Sequence, residues 1–398
     1  MKRRQSFWRM RRQRLRYSNT KMKKVVLSGF KGDCCGRNYN KALIKMALEK
    51  KIELTCVDLG KPKNVLGVPS LKDMMQMIKS KKVRYLDLEN PRDVKKYIDI
   101  KDIDVALIAT PDFLHAKIAQ EFLGKAKRIF IDKPLDSILR NVRMIESFSG
   151  VDNLVFCYDH YLSKFYPFEL QTDQWLKQGI IGNVKKIEFR LLEPTVIPRH
   201  RISALDAGMV YDLFSHGLAV ITAIPNKWAY PDLQNLQKLK ILEVKVGKYE
   251  GCRIHGCSYS KIIFEVPLGK TFIPCKARVG KGVGKKFEKI LEITGSKGKI
   301  LVDIENYQYE ITNAAGGKIK EGKLVYDYAE HFLAAAINVK NPVYKIPGAM
   351  PLNAGKEILY ILDEADWRKE PKGRIPRYPV GSSIAEIEKI IESRMPTS

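Results

Sequence analysis

Lys24-Val25-Val26-Leu27-Ser28-Gly29-Phe30-Lys31-Gly32-Asp33-Cys34-Cys35-Gly36 is an apolar run breaking into a glycine-rich loop, and the amphipathic stretch Asn38–Lys50 follows directly. A buried strand, a glycine loop and a helix N-terminus together bring backbone N–H groups close to a bound pyrophosphate. Gly29, Phe30, Lys31 and Gly32 are therefore candidate nucleotide contacts. The spacing departs from G-x-G-x-x-G, so the loop read alone also fits a turn without ligand. Asp58 adds weight. It closes the next apolar run, Ile52–Val57, where a carboxylate can accept the hydroxyls of an adenosine ribose. Such a carboxylate repels a 2′-phosphate and favours NAD, while Lys61 and Lys63 just beyond keep NADP open.

Outward from this unit, short apolar runs alternate with amphipathic stretches, the pattern of strands and crossover helices in a parallel sheet. Strands are expected at Val25–Ser28, Ile52–Val57, Val83–Leu86, Asp104–Ala109, Arg128–Ile131 and Asn153–Tyr158. Helices are expected at Asn38–Lys50, Ser70–Ser80, Pro91–Ile98, Asp112–Leu123 and Ser137–Phe148. Six strands with helical crossovers make a doubly wound Rossmann unit. Ligands in such sheets bind beyond the carboxyl ends of the strands, which puts Thr110, Pro111 and His115 after the fourth strand, and Lys133 and Pro134 after the fifth, near the cofactor. Pro111 also suits a first helical turn, and His115 reads more simply as a helix-surface or capping histidine.

Beyond residue 158 the pattern changes. Phe165–Lys177 is amphipathic and ends at Gly179, a fitting C-cap. Val184–Leu192 alternates as a strand. Ala207–Ile224 has apolar residues at helical spacing, with Asp212 and His216 four apart on one face. From Lys240 to Glu310, alternating segments between Gly and Asn turns predict a largely antiparallel sheet. Tyr326–Val339, Asn353–Trp367 and Ile384–Ser393 read as helices, with a Pro-rich basic loop at Lys369–Pro379. The expected organisation is a basic disordered tail at 1–21, a Rossmann domain at 22–158, and an α/β substrate and oligomerisation domain with a largely antiparallel open sheet at 159–398.

Composition bounds the function. The 398 residues are 45% hydrophobic and 29% charged, typical of a globular protein, and no apolar run approaches a membrane span. No membrane role is expected. The seven cysteines show neither a disulfide framework nor paired zinc spacing, which fits a reducing cytoplasm. The six histidines lack H-E-x-x-H or a similar ligand pattern, so no metal is expected. The net charge of +27 invites a nucleic-acid reading, but residues 1–24 hold eleven basic residues and no acid. Without them the balance is 60 basic against 44 acidic, or +16. No nucleic acid is expected except through this tail. A disordered, dispensable extension is the favoured reading; an RNA or membrane-surface arm, an organellar transit peptide and an internal start at Met22 are its competitors.

The ordered series Ala109–His115, Asp132-Lys133-Pro134, Gly179-Ile180-Ile181-Gly182, Asp212…His216 and Ile293-Thr294-Gly295-Ser296-Lys297-Gly298 resembles the Gfo/Idh/MocA oxidoreductase family over almost all of the chain from residue 22. The resemblance implies a Rossmann domain followed by a domain whose open sheet builds a homodimer or homotetramer. It implies that Lys133 contacts substrate and cofactor and that the Asp212…His216 helix supplies the proton acceptor. Asp132 stands where the family has Glu, and only Gly208 remains of the glycines that usually precede the Asp helix. Gly29-Phe30-Lys31-Gly32-Asp33 and Asp159-His160-Tyr161-Leu162-Ser163-Lys164 are similar to segments of glucose-6-phosphate dehydrogenases. That likeness implies that Asp159 pairs with the catalytic histidine and that His160, Tyr161 and Lys164 hold a sugar phosphate.

The reaction these residues suit is hydride transfer between an alcohol carbon and NAD(P). Histidine takes and returns a proton near neutrality. A carboxylate, Asp212 or Asp159, would orient His216 and support its charged form, and Lys133 would stabilise developing negative charge on oxygen. A sugar, cyclitol or sugar phosphate is the expected substrate. The alternative is a non-catalytic NAD(P)-binding regulator of the same fold, which would have no chemical need for Lys133, Asp212 and His216.

Overall fold

The computed structural model describes residues 22–32, 36–61, 65, 76–136, 139–147, 150–151, 154–197, 208–224, 233–254, 256–268, 271–365 and 375–394. The basic tail, Asp33, Lys63 and most of the expected Ser70–Ser80 helix lie outside them.

All six expected strands form: β1 (Lys23–Ser28), β2 (Ile52–Asp58), β3 (Val83–Asp87), β4 (Val105–Ile108), β5 (Ile129–Asp132) and β6 (Val155–Tyr158). They pair in parallel in the order β6-β5-β4-β1-β2-β3. Successive side chains of a strand point to opposite faces, and the strands here are apolar on both. Val25, Leu27, Val105 and Leu107 enter one core, against α1 (Lys41–Leu48). Val26, Ala106, Ile108 and Ile131 enter the other, against α3 (His115–Phe122) and α4 (Leu139–Glu146). Between β3 and β4, α2 (Pro91–Ile98) starts where the Asn90 side chain accepts the Arg92 N–H, with Pro91 in its first turn.

The chain returns to this sheet late. β15 (Ala349–Pro351) pairs antiparallel with β6, so the seven-stranded sheet crosses the expected partition at residue 158. The helices flanking it, α7 (Tyr328–Ile337) and α8 (Leu352–Glu364), cover the sheet's two faces. Phe332 of α7 stacks on Tyr158 with ring centroids 3.8 Å apart. Arg128 donates to the carbonyls of Val339, 2.8 Å away, and of Asn341.

The second sheet has nine strands in the order β14-β13-β12-β11-β7-β10-β9-β8-β16. They are β7 (Val184–Glu193), β8 (Lys240–Tyr249), β9 (Tyr259–Leu268), β10 (Thr271–Lys281), β11 (Glu288–Gly295), β12 (Gly298–Asp303), β13 (Gln308–Asn313), β14 (Lys318–Lys323) and β16 (Arg377–Tyr378). Pairing is antiparallel apart from β7 with β10 and β8 with β16. One face packs on α5 (His160–Lys177) and α6 (Ser215–Ala223). On the other face, Lys261 and Arg278 join Glu388 of α9 (Ile384–Arg394), their neighbours Ile262 and Ala277 being core residues. No described helix is long and apolar enough to cross a membrane.

Two boundaries differ from expectation. α5 begins at His160 rather than Phe165, because the Asp159 carboxylate accepts the N–H groups of Tyr161 and Leu162 at 2.8 and 2.9 Å and caps it. Residues Val210–Phe214 wind as a π-turn before α6, a local irregularity often found at functional sites.

Candidate active site

A cavity of about 1530 Å³ opens between the two sheets. One lobe lies at the carboxyl ends of β1 and β4, where the strand order reverses. Its floor is the Gly29 turn. Gly29 has φ +88°, and a Cβ there would stand 2.5 Å from the Ala109 carbonyl oxygen, so only glycine lets the loop pass this close to β4. Asp58 then fixes the loop: its carboxylate accepts the Lys31 N–H at 2.6 Å and the Leu59 N–H at 2.7 Å. The Lys31 ammonium rests on the Leu59 carbonyl. Lys31, Gly32, Asp58, Leu59, Thr110, Pro111 and Ile118 line this lobe.

These residues fit a dinucleotide. The glycine-lined turn leaves room for a pyrophosphate against backbone, and the Asp58 carboxylate has lone pairs left for ribose hydroxyls. Phe30 is the exception among the expected contacts. Its ring is fully buried in the core beside Tyr85, because an apolar side chain gains more against α1 and β3 than at a wet cleft. His115 is neither surface nor cap. It is 2% exposed, with Nδ1 2.9 Å from the Pro134 carbonyl and Nε2 2.8 Å from that of Thr110, and so ties the β4 loop to the β5 loop.

Lys133, Pro134, Asp212 and His216 meet where this lobe opens into the second. The Lys133 N–H donates to Asp132 Oδ1 at 2.8 Å, and Tyr39 OH donates to Asp132 Oδ2 at 3.1 Å. Lys133 Nζ lies 2.9 Å from Asp212 Oδ1 and also donates to the Asp212 carbonyl. Burial pulls this ammonium's pKa down, but Asp212 more than reverses it and Lys133 stays charged.

His216 is 1% exposed, and its partner is Asp159, with Nδ1 2.8 Å from Oδ2. A carboxylate can only accept, so Nδ1 carries the proton and the Nε2 lone pair is left for the cavity. The expectation that Asp212 orients His216 is corrected: Asp212 belongs to Lys133. The π-winding of 210–214 removes the i,i+4 alignment of a regular helix on which that expectation rested. Burial and the Lys133 charge lower the His216 pKa, with Asp159 opposing them, and the net result is a neutral imidazole at neutral pH. Asp159 stays ionised. Its burial would raise its pKa, but His216, the Leu162 N–H and Lys133 together bring it below the usual carboxylate value.

The second lobe is walled by His160, Tyr161, Lys164, Glu193, Lys281, Lys289, Glu305, Tyr307 and Tyr326. The first three were expected from sequence. The His160 ring lies 4.7 Å and the Tyr161 ring 4.4 Å from that of His216. Burial, then the positive charges of Lys164, Lys133 and Lys289, hold His160 neutral. Sequence reasoning missed Lys281, which sits 3.0 Å from Glu193 and 4.0 Å from Asp212. Its signal was its place at the end of a strand beside glycine. Glu193, Lys289 and Glu305 carried no comparable local signal. Among the described residues no cluster of His, Cys, Asp or Glu could hold a metal.

Three comparisons bear on this geometry. In overall shape the chain is similar to glucose-6-phosphate 1-dehydrogenase from Mycobacterium avium, at 15% identity and TM-score 0.66, over 95% of this chain and 99% of that one. It is similar to a levoglucosan dehydrogenase in complex with NADH and levoglucosan, at 13% identity and TM-score 0.62, covering 87% and 97%. A third likeness is to UDP-N-acetylglucosamine 3-dehydrogenase from Acidithiobacillus ferrooxidans, at 14% identity and TM-score 0.59, covering 87% and 97%. At these identities the likenesses speak to the fold. No curated protein matches the sequence. Residues 65–155 match the Gfo/Idh/MocA family model, described as an oxidoreductase family with an NAD-binding Rossmann fold. Over residues 65–155 the chain is thus similar to the NAD-binding Rossmann domain of the Gfo/Idh/MocA oxidoreductases.

Proposed function

We propose that the protein is an NAD(P)-dependent dehydrogenase of a sugar, cyclitol or sugar phosphate, acting on a CH–OH carbon. The observation that carries this reading is the convergence of His216, backed by Asp159, and Lys133, backed by Asp212, on one cavity continuous with the Gly29–Asp58 lobe.

In the oxidising direction His216 Nε2 accepts the proton of the substrate hydroxyl, and Asp159 stabilises the imidazolium that results. Lys133 donates to the same oxygen and offsets its developing negative charge, with Asp212 holding the ammonium in place. The bound nicotinamide supplies the acceptor for hydride. Gly29, Lys31, Gly32, Asp58, Thr110, Pro111 and Pro134 would hold the dinucleotide, with His115 bracing the two loops. His160, Tyr161 and Lys164 would hold the distal end of the substrate. The proposal places the dinucleotide-binding unit in residues 22–158 and the substrate and assembly unit in 159–398. It includes a homodimer or homotetramer in the cytoplasm, a setting consistent with five buried free thiols among the described cysteines.

The test is reduction of NAD or NADP with a panel of sugars, cyclitols and sugar phosphates. The expected result is turnover with at least one of them, lowered by about 10²–10⁴ in His216→Asn with cofactor affinity kept. Near-normal turnover in that variant refutes the base assignment. Cofactor binding without turnover on any substrate favours the regulator.

A further inference from the structure

The distal lobe contains its own anion. Lys164 of α5 and Lys289 of β11 both reach Glu305, at 2.7 and 3.2 Å from the same carboxylate oxygen, Oε2. The two lysine side chains are 12% exposed and that of Glu305 is 41% exposed. The ammonium groups lie 5.3 and 5.4 Å from the centre of the Tyr161 ring, and Lys164 lies 5.1 Å from that of Tyr328. Glu305 stands in the turn after β12, where Asp303 Oδ1 accepts its N–H at 3.1 Å. Its backbone is therefore anchored while its carboxylate reaches inward from the solvent side. Around it, His160 Nδ1, Tyr307 OH and Tyr326 OH are buried without a hydrogen-bond partner among the described residues, and all three side chains line the same cavity. Buried polar atoms left unpaired cost free energy unless a ligand meets them.

We propose that Glu305 is an internal occupant of an anion subsite formed by Lys164 and Lys289, and that it selects phosphate-bearing substrates over carboxylate-bearing ones. This rests on the reading above that the substrate's distal end lies beside Lys164. The selection follows from charge. A ligand carboxylate replacing Glu305 exchanges one negative charge for another, and Glu305 must be returned to water with no electrostatic gain. A phosphate monoester brings a charge of about −1.5 to −2 and three acceptor oxygens, enough to satisfy both lysines together with the unpaired donors. One glutamate offsets only half of the two lysines' charge, so the subsite favours an anion that brings more charge than that glutamate.

The experiment is calorimetric titration of the full-length protein with inorganic phosphate and with acetate, at fixed neutral pH and constant ionic strength, without nicotinamide. Wild type is expected to bind phosphate and to give no heat with acetate. Glu305→Gln should tighten phosphate by about tenfold, the order of one close charge in a partly solvated site, and should gain acetate binding. Lys164→Met should abolish the phosphate signal, which places it here and not at the Gly29 loop. Equal binding of acetate and phosphate by wild type overturns the proposal, and this comparison needs no variant. Unchanged phosphate affinity in Glu305→Gln overturns it as well. Because the readout is ion binding, its failure leaves turnover of unphosphorylated sugars untouched. Conversely, a protein that oxidises no alcohol still reports on Glu305.

Discussion

Replacing Asp159 by Asn separates the chemistry of its carboxylate from its structural work. Asp159 does two things at once: one oxygen caps α5 by accepting the Tyr161 and Leu162 N–H groups, and the other accepts the hydrogen bond of the His216 Nδ1–H. Asn keeps a carbonyl oxygen for the cap and is about as good an N-cap as Asp. Its second group is an NH₂, a donor facing Nδ1. The imidazole must then carry its proton on Nε2, the nitrogen meant to accept from substrate. A donor facing Nδ1 leaves no acceptor there for a proton, which fixes this tautomer. The expected loss is about 10²–10⁴ in kcat, the range for removing a competent general base. Loss of the carboxylate also removes the main influence that raises the His216 pKa, so the acid limb of any residual activity moves to lower pH. Stability should change little. Asp159→Ala, by contrast, loses the cap, about 1 kcal/mol, and leaves a buried N–H unpaired, about 1–3 kcal/mol. Turnover measured by absorbance of the reduced nicotinamide, beside thermal melts of both variants, decides the matter. Wild-type turnover in Asp159→Asn, or a loss of turnover matched by an equal loss of fold, would refute the reasoning.

Gly29→Ala should destabilise the protein by roughly 2–4 kcal/mol, because it combines a left-handed residue with backbone atoms 2.5 Å away that cannot give; a denaturant midpoint equal to wild type would contradict the loop geometry. Stability should also depend on pH in a defined direction. Burial depresses the pKa of His160 and His216 in the fold, so below the ordinary histidine value of 6.5 the unfolded chain binds protons that the folded one does not. Their contribution is complete above that pH and is lost as pH falls toward the folded values. Asp159, also depressed, adds a second loss below its ordinary value of 3.8. Melting temperatures that stay level from pH 7 to about pH 5 would count against this.

The legible part of the chain was whatever depends on local periodicity. β1 to β6 and the last helices follow from side-chain alternation and turn residues and lie within a few residues of their expected places, while the antiparallel sheet expected over Lys240–Glu310 runs on to Lys323. The positions of Lys133 and His216 were legible too, since strand-end logic and a family resemblance located them. What sequence could not give was pairing across the fold. Asp212 was the first candidate to orient His216, with Asp159 as the alternative, and the fold gives Asp212 to Lys133 and Asp159 to His216. Glu305 meets Lys164 across 141 residues, and nothing near it in sequence marks the encounter. Phe30 was misread because its place in a glycine loop suggested the ligand, whereas its apolar ring follows the core.

β15 has a consequence for how the molecule is made. A nascent chain that has emerged through Tyr158 holds every nucleotide-side element but leaves one flank of its sheet without the strand that pairs there and Tyr158 without its stacked partner. Nearly two hundred further residues must be synthesised before Ala349–Pro351 can dock. Through that interval the half-finished sheet offers a bare strand to any other chain nearby, the hazard that exposed β-edges carry. Expression of the first 158 residues alone would freeze that intermediate, and it should self-associate rather than stand as an independent nucleotide binder.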